Sequence, residues 1–397
     1  METPRLLASA NDVNGGDPLA PSPSNFTRVC NLSAAATASA SVLLLLSIAI
    51  MISSLKGPRD DEAVIPIIGA VGPESFAFDS NGDGPYTGVS DGRIIKWQRN
   101  QSRWIDFAVT SPERASCEGK EAGDHTRREH LCGRPLGLRF SPKSGDLFIA
   151  DAYMGLLVVK PKGGSSTQVA KQAQGAQRGF TNSLDIDHKS GVIYFTDSTA
   201  KYQRRNYISA IFSGDNTGRL LKYDPETKQI SVMLDNLRFP NGVALSKEGD
   251  FILVAETTTC KIVKLWLKPP KVGDVETILE LPGFPDNIKR NEKGEFWVGI
   301  HSRRRKFMKW ALSTNSWIRN ALIINLPFDI TKVYTYLGCV SGNGFGVRIN
   351  ENGDVLEILE GMNGRNWEHV SEVCEENENL WIGSVDMPFA IKEKIMR

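Results

Sequence analysis

Two stretches, FPNGVALSKEGDFILVAETTT (residues 239–259) and FPDNIKRNEKGEFWVGI (residues 284–300), follow one plan. Each opens on Phe-Pro, then places one or two side-chain amides or carboxylates, then an apolar-alternating run that reads as a strand. A turn built on Lys-Glu-Gly-Asp or Glu-Lys-Gly-Glu follows, then a second, more apolar strand. The same unit recurs at GPESFAFDSNGDGPYTGVSDGRIIKW from Gly72, GRPLGLRFSPKSGDLFIADAYMGLLVV from Gly133 and FTNSLDIDHKSGVIYFTDS from Phe180. A degenerate copy, HVSEVCEENENLWIGSV, begins at His369. Third strands such as GRLLKYD and KIVKLWL often complete the unit.

Short strands at even spacing, with a Gly/Asp turn in every unit, argue against a Rossmann fold or a helical repeat. A β-sandwich would leave the shared turn and opening motif unexplained. Blades of four-stranded sheet arranged around a channel fit the spacing, so the expected fold is all-β, a six-bladed β-propeller over residues 56–397. Insertions make the intervals uneven: the loop between two cysteines, STAKYQRRNYISAIFSGDNT, and a helix-prone stretch around KFMKWALSTNSWIRNALIINL.

The innermost strand of every blade lines the channel, so residues at its opening converge on the axis. Glu74, Asn182, Asn241, Asp286 and Asn287 all hold that position. Singly, each is a residue that turns favour. Together they bring two carboxylates and three amide oxygens to one place, where like charges repel unless a cation neutralises them. Hard cations that take 6–8 oxygen ligands suit such a set, so a Ca²⁺ site is expected there.

At these blocks the chain resembles a known family. Residues 183–258, with KYQRRNY, TGRLLKYD and FPNGVA…AET, are similar to the strictosidine synthase-like proteins of plants and their animal relatives of the adipocyte plasma membrane-associated type. The resemblance runs from about residue 62 to the C-terminus. It implies a six-bladed propeller in the secretory pathway and a Cys117–Cys132 disulfide. A more distant resemblance to calcium-dependent gluconolactonase and paraoxonase propellers implies the same five residues as metal ligands. Two departures limit the transfer of activity. The glutamate that strictosidine synthase uses to condense tryptamine with secologanin falls on Ser371, with Glu372 next to it on the opposite face. The histidine that paraoxonases carry after a blade-opening proline falls on Leu136.

The 397-residue chain is 41% hydrophobic and 23% charged with formal net charge +1, which is globular composition without a field for nucleic acid. Residues 1–33, rich in Ala, Ser, Asn, Pro and Gly, read as a disordered tail. Residues 34–55, containing SVLLLLSIAIMISSL, read as a transmembrane or signal-anchor helix, with a cleaved signal peptide as the alternative. Cys117 and Cys132 bracket a hydrophilic loop that a covalent clasp would stabilise by ~3 kcal/mol. Clasps of this kind persist in oxidising compartments, and Asn100 lies in a glycosylation sequon. The expected location is therefore the endomembrane lumen, with the membrane reached through the N-terminal helix. Cys30, Cys260, Cys339 and Cys374 show no metal-ligand spacing.

A channel cation can polarise an ester or lactone carbonyl. Asp286 or Glu74 is the candidate water-activating carboxylate and His301, after the strand EFWVGI, the candidate proton shuttle. Glu256 reads as structural, and His125, His130, His188 and His369 as solvated loop residues. Three functions follow as expectations: a calcium-assisted hydrolase of small esters or lactones, a condensing enzyme acting on alkaloid-like substrates, or a non-catalytic membrane-tethered binding module.

Overall fold

The structure is a computed structural model that describes residues 63–117, 122–170, 179–304, 309, 312, 344–361 and 367–395. The expected tail and anchor helix (residues 1–55) lie outside the described residues. Among the described residues no helix is long and apolar enough to cross a membrane.

Six antiparallel sheets form the six blades of a propeller. In blades 2 to 5 the four strands follow one another outwards in chain order, blade 2 lending Gly164–Ser165 between its last two strands to blade 1. Blade 4, for example, runs Pro240–Leu245, Phe251–Glu256, Lys261–Trp266 and Val275–Glu280 from the channel outwards. Blade 1 runs from Phe76–Ala77 to Arg103–Val109 and gains a short parallel strand, Gly164–Ser165, on its outside. Blade 6 is composite: Val370–Glu376, Asn379–Ser384 and Phe389–Lys394 supply three strands, and Ala63–Pro66, from the other end of the described chain, supplies the outermost.

The middle strands of each blade are apolar on both faces because each blade is packed between two others. Accordingly the core is a series of layers between blades. Phe251, Leu253 and Ile262 of blade 4 meet Phe296, Val298 and Phe345 of blade 5. Equivalent clusters join blades 2 and 3, 1 and 2, 3 and 4, and 5 and 6, and Phe76 with Trp381 closes the ring between blades 6 and 1. The outer strands are half exposed, as in Gln229–Leu237, where polar residues face water.

The recurring turn has a local cause. Its first residue (Asp79, Ser246, Asn291 or Asn350) uses one side-chain oxygen to accept backbone N–H groups further along the turn. The glycine three residues on takes the left-handed backbone such a turn requires, with φ +90° at Gly294 and Gly353.

The opening motif also has a cause. In blades 2 to 6 the ladder between the first two strands slips by one residue at its start, for instance between Pro240 and Val243 and between Pro285 and Ile288. That is a β-bulge, which frees residues from pairing and re-aims their side chains. Asn182, Asn241, Asp286 and Asn287 sit in these bulges, and Leu136 and Ser371 hold the same place in blades 2 and 6.

Candidate metal centre and ligand cavity

Hydroxyl groups hold the bulges in register. Thr196 Oγ1 of blade 3 donates to the Asn241 carbonyl at 2.6 Å, and Ser198 Oγ donates to the Pro240 carbonyl at 2.7 Å. Thr257 Oγ1 of blade 4 donates to the Pro285 carbonyl at 2.7 Å, and Ser371 Oγ of blade 6 to the Glu74 carbonyl at 2.6 Å. Blades 3, 4 and 6 thereby fix the openings of blades 4, 5 and 1. Gly242 lets the inner strands touch, since a Cβ there would lie 2.3 Å from the Ile288 nitrogen.

This scaffold brings the expected ring together. Asn287 Nδ2 donates to Glu74 Oε1 at 3.1 Å, across the channel and 213 positions along the chain. Asn182 Nδ2 donates to Ser198 Oγ at 3.0 Å. With the amide nitrogens so engaged, Asn182 Oδ1, Asn287 Oδ1, Asn241 Oδ1 and Glu74 Oε2 are buried without a hydrogen-bond partner. Buried polar atoms are nearly always paired, and leaving one unmade costs ~1–3 kcal/mol. Four such orphans on one ring, all oxygens, are what a hard divalent cation would satisfy. Among the described residues no group of three or more His, Cys, Asp or Glu is placed to hold a metal ion, and the ring's donors are amide and carboxylate oxygens, the kind that hard cations take.

Charge makes the same point. Burial, reinforced by the Asp286 charge, raises the Glu74 pKa well above the ordinary carboxylate range. Burial pushes Asp286 up to about 7, against a hydrogen bond from the Asn241 side chain. Both shifts disfavour the charged carboxylates in the metal-free protein.

Above the ring lies a cavity of about 180 Å³. Glu74, Asn182, Asn241 and Asp286 line its polar end, and Leu136, Phe180, Phe239 and Phe284 its apolar walls. Two inserted segments add Thr126, Glu129, Arg204, Tyr207 and Ile211 to its wall. Helix α1 (Ala122–Cys132) is tied at its C-terminus by the Cys117–Cys132 disulfide and ends where Gly133 turns left-handed, φ +82°. Helix α2 (Tyr207–Ser213) buries Ile208, Ala210 and Ile211 and stops at Gly214, whose φ of +69° caps it.

His301 lines this cavity and stacks on His369, ring centres 4.3 Å apart and planes 14° apart. His369 Nδ1 lies 2.6 Å from Asp386 Oδ2. Burial lowers the His301 pKa to about 3, and the neighbouring His369 adds to that. Burial also works against a charge on His369, but the hydrogen bond and charge of Asp386 outweigh it and its pKa rises. Sequence reasoning placed His369 among solvated loop residues; it is half-buried and partnered instead. His125, expected to be solvated too, is buried with Nδ1 2.7 Å from Ser90 Oγ. Nothing in the spacing signalled either, because both partners come from other segments.

The remaining expectations fall out as follows. Glu256 is structural, its carboxylate accepting the Arg238 N–H at 2.6 Å and the Thr259 hydroxyl. Asn100 is exposed in the turn between Arg93–Gln98 and Arg103–Val109. Cys260 and Cys374 are buried free thiols. Arg134, Arg204 and Glu129, which also line the cavity, had not been singled out.

Family models for strictosidine synthase and for the strictosidine synthase-like N-terminal region match residues 182–270 and 62–97. Protein STRICTOSIDINE SYNTHASE-LIKE 2 of Arabidopsis thaliana is 54% identical over 342 residues, covering 84% of this chain and 90% of its own. The chain belongs to the strictosidine synthase-like family. Another relative, the adipocyte plasma membrane-associated protein of Danio rerio, is 36% identical over 81% of this chain and 75% of its own. Among solved structures, a gluconolactonase from Xanthomonas campestris superimposes with a TM-score of 0.55 at 12% identity, covering 87% of this chain and 93% of that one. A calcium-binding regucalcin from Agrobacterium tumefaciens gives 0.55 at 12% identity, with 85% and 94% covered. At that identity the likeness to this strictosidine synthase-like chain is one of fold.

Within the family pattern, Ser371 and Glu372 bear on the chemistry. The Ser371 hydroxyl is fully buried and committed to the Glu74 carbonyl. Glu372 accepts the Phe76 N–H at 2.7 Å and lies 3.6 Å from Lys289 Nζ, and neither it nor Ser371 lines the cavity.

Proposed function

We propose that this strictosidine synthase-like propeller is a calcium-assisted hydrolase of small esters or lactones. The observation that carries the reading is the group of four partnerless oxygens at the polar end of an apolar-walled cavity. Glu74, Asn182, Asn241 and Asn287 would hold the ion, with Asp286 beside them. A bound calcium supplies Lewis acidity toward a carbonyl oxygen. The chain's own residues do the rest. The phenylalanines and Leu136 take the substrate's apolar body and exclude water. The Asp286 carboxylate, whose pKa of about 7 lies near working pH in the metal-free protein, accepts the proton of the attacking water. His301, whose pKa burial and the neighbouring His369 lower to about 3, stays neutral and would orient the attacking water through a hydrogen bond rather than take its proton.

Strictosidine-type condensation is less well supported, because no carboxylate occupies the Ser371 position and Glu372 serves the blade 6–blade 1 contact. The Cys117–Cys132 disulfide supports an oxidising location, the endomembrane lumen in this reading, where Asn100 would be available for glycosylation.

The test is a panel of phenyl acetate and simple lactones, assayed with calcium and with chelator, for the wild type and Asp286→Ala. Turnover should require calcium and fall by 10²-fold or more in the variant, within the range general-base removal gives. Chelator-resistant turnover rules the reading out. Calcium binding without any turnover leaves a binding module.

A further inference from the structure

The cavity wall carries a charge cluster that the proposed chemistry does not use. Arg134 opens blade 2, Glu129 lies on α1, and Arg204 comes from the single 3-10 turn Arg204–Asn206 before α2. Glu129 is 2% exposed and Arg134 has no exposure at all. Glu129 Oε1 accepts from Arg204 Nη1 at 2.6 Å, and Oε2 accepts from the Tyr153 hydroxyl at 3.1 Å. Arg134 Nε stands 3.7 Å from Glu129 Oε1 and is buried without a hydrogen-bond partner. Its two other nitrogens donate to the Gly72 and Val385 carbonyls at 3.1 and 3.2 Å. Gly72 is required for that seat, since a Cβ there would lie 2.2 Å from Arg134 Nη2.

Two guanidinium groups therefore share one carboxylate. A guanidinium has five N–H donors, and Arg204 uses one of them on Glu129, with no other side-chain hydrogen bond among the described residues. Both arginines line the cavity. Glu74 and Asp286 belong to the ring, and Asp386 is held by His369, so those carboxylates are already engaged. A buried guanidinium N–H left without an acceptor, as at Arg134 Nε, is costly unless a ligand supplies one. Arginine is the side chain best suited to a planar carboxylate, which it grips through two parallel hydrogen bonds.

The geometry points to Arg204, backed by Arg134 and held in place by Glu129, as a carboxylate-binding element, so that the ligand is an amphiphile carrying a carboxylate on an aromatic or aliphatic body. Resting on the hydrolase reading, this makes the substrate an ester or lactone with a separate carboxylate group. The apolar walls contact the body, the Arg204 side orients the charge, and the bond to be cleaved lies toward the ring. Arg204 is here a specificity residue; it takes no part in the bond-breaking step.

Binding separates this idea from turnover. Phenylacetate and phenylacetamide have nearly the same shape and differ in charge. Their affinities for the full-length protein are measured calorimetrically, with calcium and with chelator. Wild type should favour phenylacetate about tenfold or more, as a charge-assisted pair would give. Arg204→Gln should bring the ratio close to one, while Arg204→Lys keeps part of it. Glu129 retains Arg134 and Tyr153 in either variant, and Arg204→Lys supplies the reading if Arg204→Gln does not fold. No preference in wild type, or a preference that survives in Arg204→Gln, overturns the proposal. A preference abolished by chelator and indifferent to Arg204 assigns the carboxylate to the cation instead, which also overturns it. An inactive protein that still shows the Arg204-dependent ratio would sink the hydrolase reading alone.

Discussion

Glu74 concentrates the physics of the ring in one side chain. Its Oε1 is satisfied by Asn287 and its Oε2 by nothing among the described residues, while burial and Asp286 both oppose its charge. Glu74→Gln removes one of two repelling carboxylates and one hard oxygen donor. The metal-free variant should melt higher than metal-free wild type, and the rise in melting temperature that calcium gives wild type should shrink or vanish. A scanning-fluorimetry titration with calcium and chelator decides it; an unchanged calcium response removes Glu74 from the site. The pH dependence has a definite sign. Glu74 and Asp286 bind protons more tightly folded than unfolded, so between the unfolded carboxylate pKa near 4 and about 7 the native state holds the extra protons. Stability of the metal-free protein should therefore fall as pH rises through that window, and calcium should flatten the slope. A metal-free stability that climbs from pH 4.5 to 7 contradicts this account. At this scale the sequence yielded the ring, because its members share one place in a repeated unit. It did not yield Arg134, Arg204 and Glu129, which meet through unrelated insertions, or His369, whose partners His301 and Asp386 come from a blade 5 strand and a blade 6 turn.

The element that converts a repeat into a site is the bulge at the start of each inner strand. An unbroken ladder would alternate side chains strictly between the two faces of the blade. The extra residue lets Asp286 and Asn287 both serve the ring, one lining the cavity and the other reaching Glu74. The shared Phe-Pro opening was readable in the sequence, and the bulge was not, since one unpaired residue is visible only against its partner strand. Gly242 sets how closely two inner strands approach. Gly242→Ala places its methyl 2.3 Å from backbone of blade 5, which cannot give as a flexible side chain does. A loss of about 1–3 kcal/mol is expected in urea unfolding, together with weaker calcium binding, because Asn241 moves with its neighbour. Full stability in that variant would mean the inner strands are not in register as described.

Across the whole molecule, the same reading that counted about six units missed how the last is completed. Blade 6 takes its outer strand, Ala63–Pro66, from the opposite end of the described chain, paired to Phe389–Lys394. So short a strand carries no periodic signal of its own, and its identity depends on a partner hundreds of positions away. Ile65 is its buried anchor, packed with Phe76, Trp381 and Ala390, whereas Val64 is 41% exposed. Ile65→Ala should cost about 2 kcal/mol in chemical denaturation and Val64→Ala within about 0.5 kcal/mol. Equal effects would show that the closing strand contributes nothing specific.

That splice between distant segments has a consequence for biosynthesis. Of the described strands, the one made first pairs with the one made last, so the ring stays unlatched until both have been made. Glu74 and Asn287 can be brought to face each other only once the intervening blades exist, and blade 1 gains its neighbour Trp381 later still. The interval before latching is when helper proteins would find exposed sheet to hold.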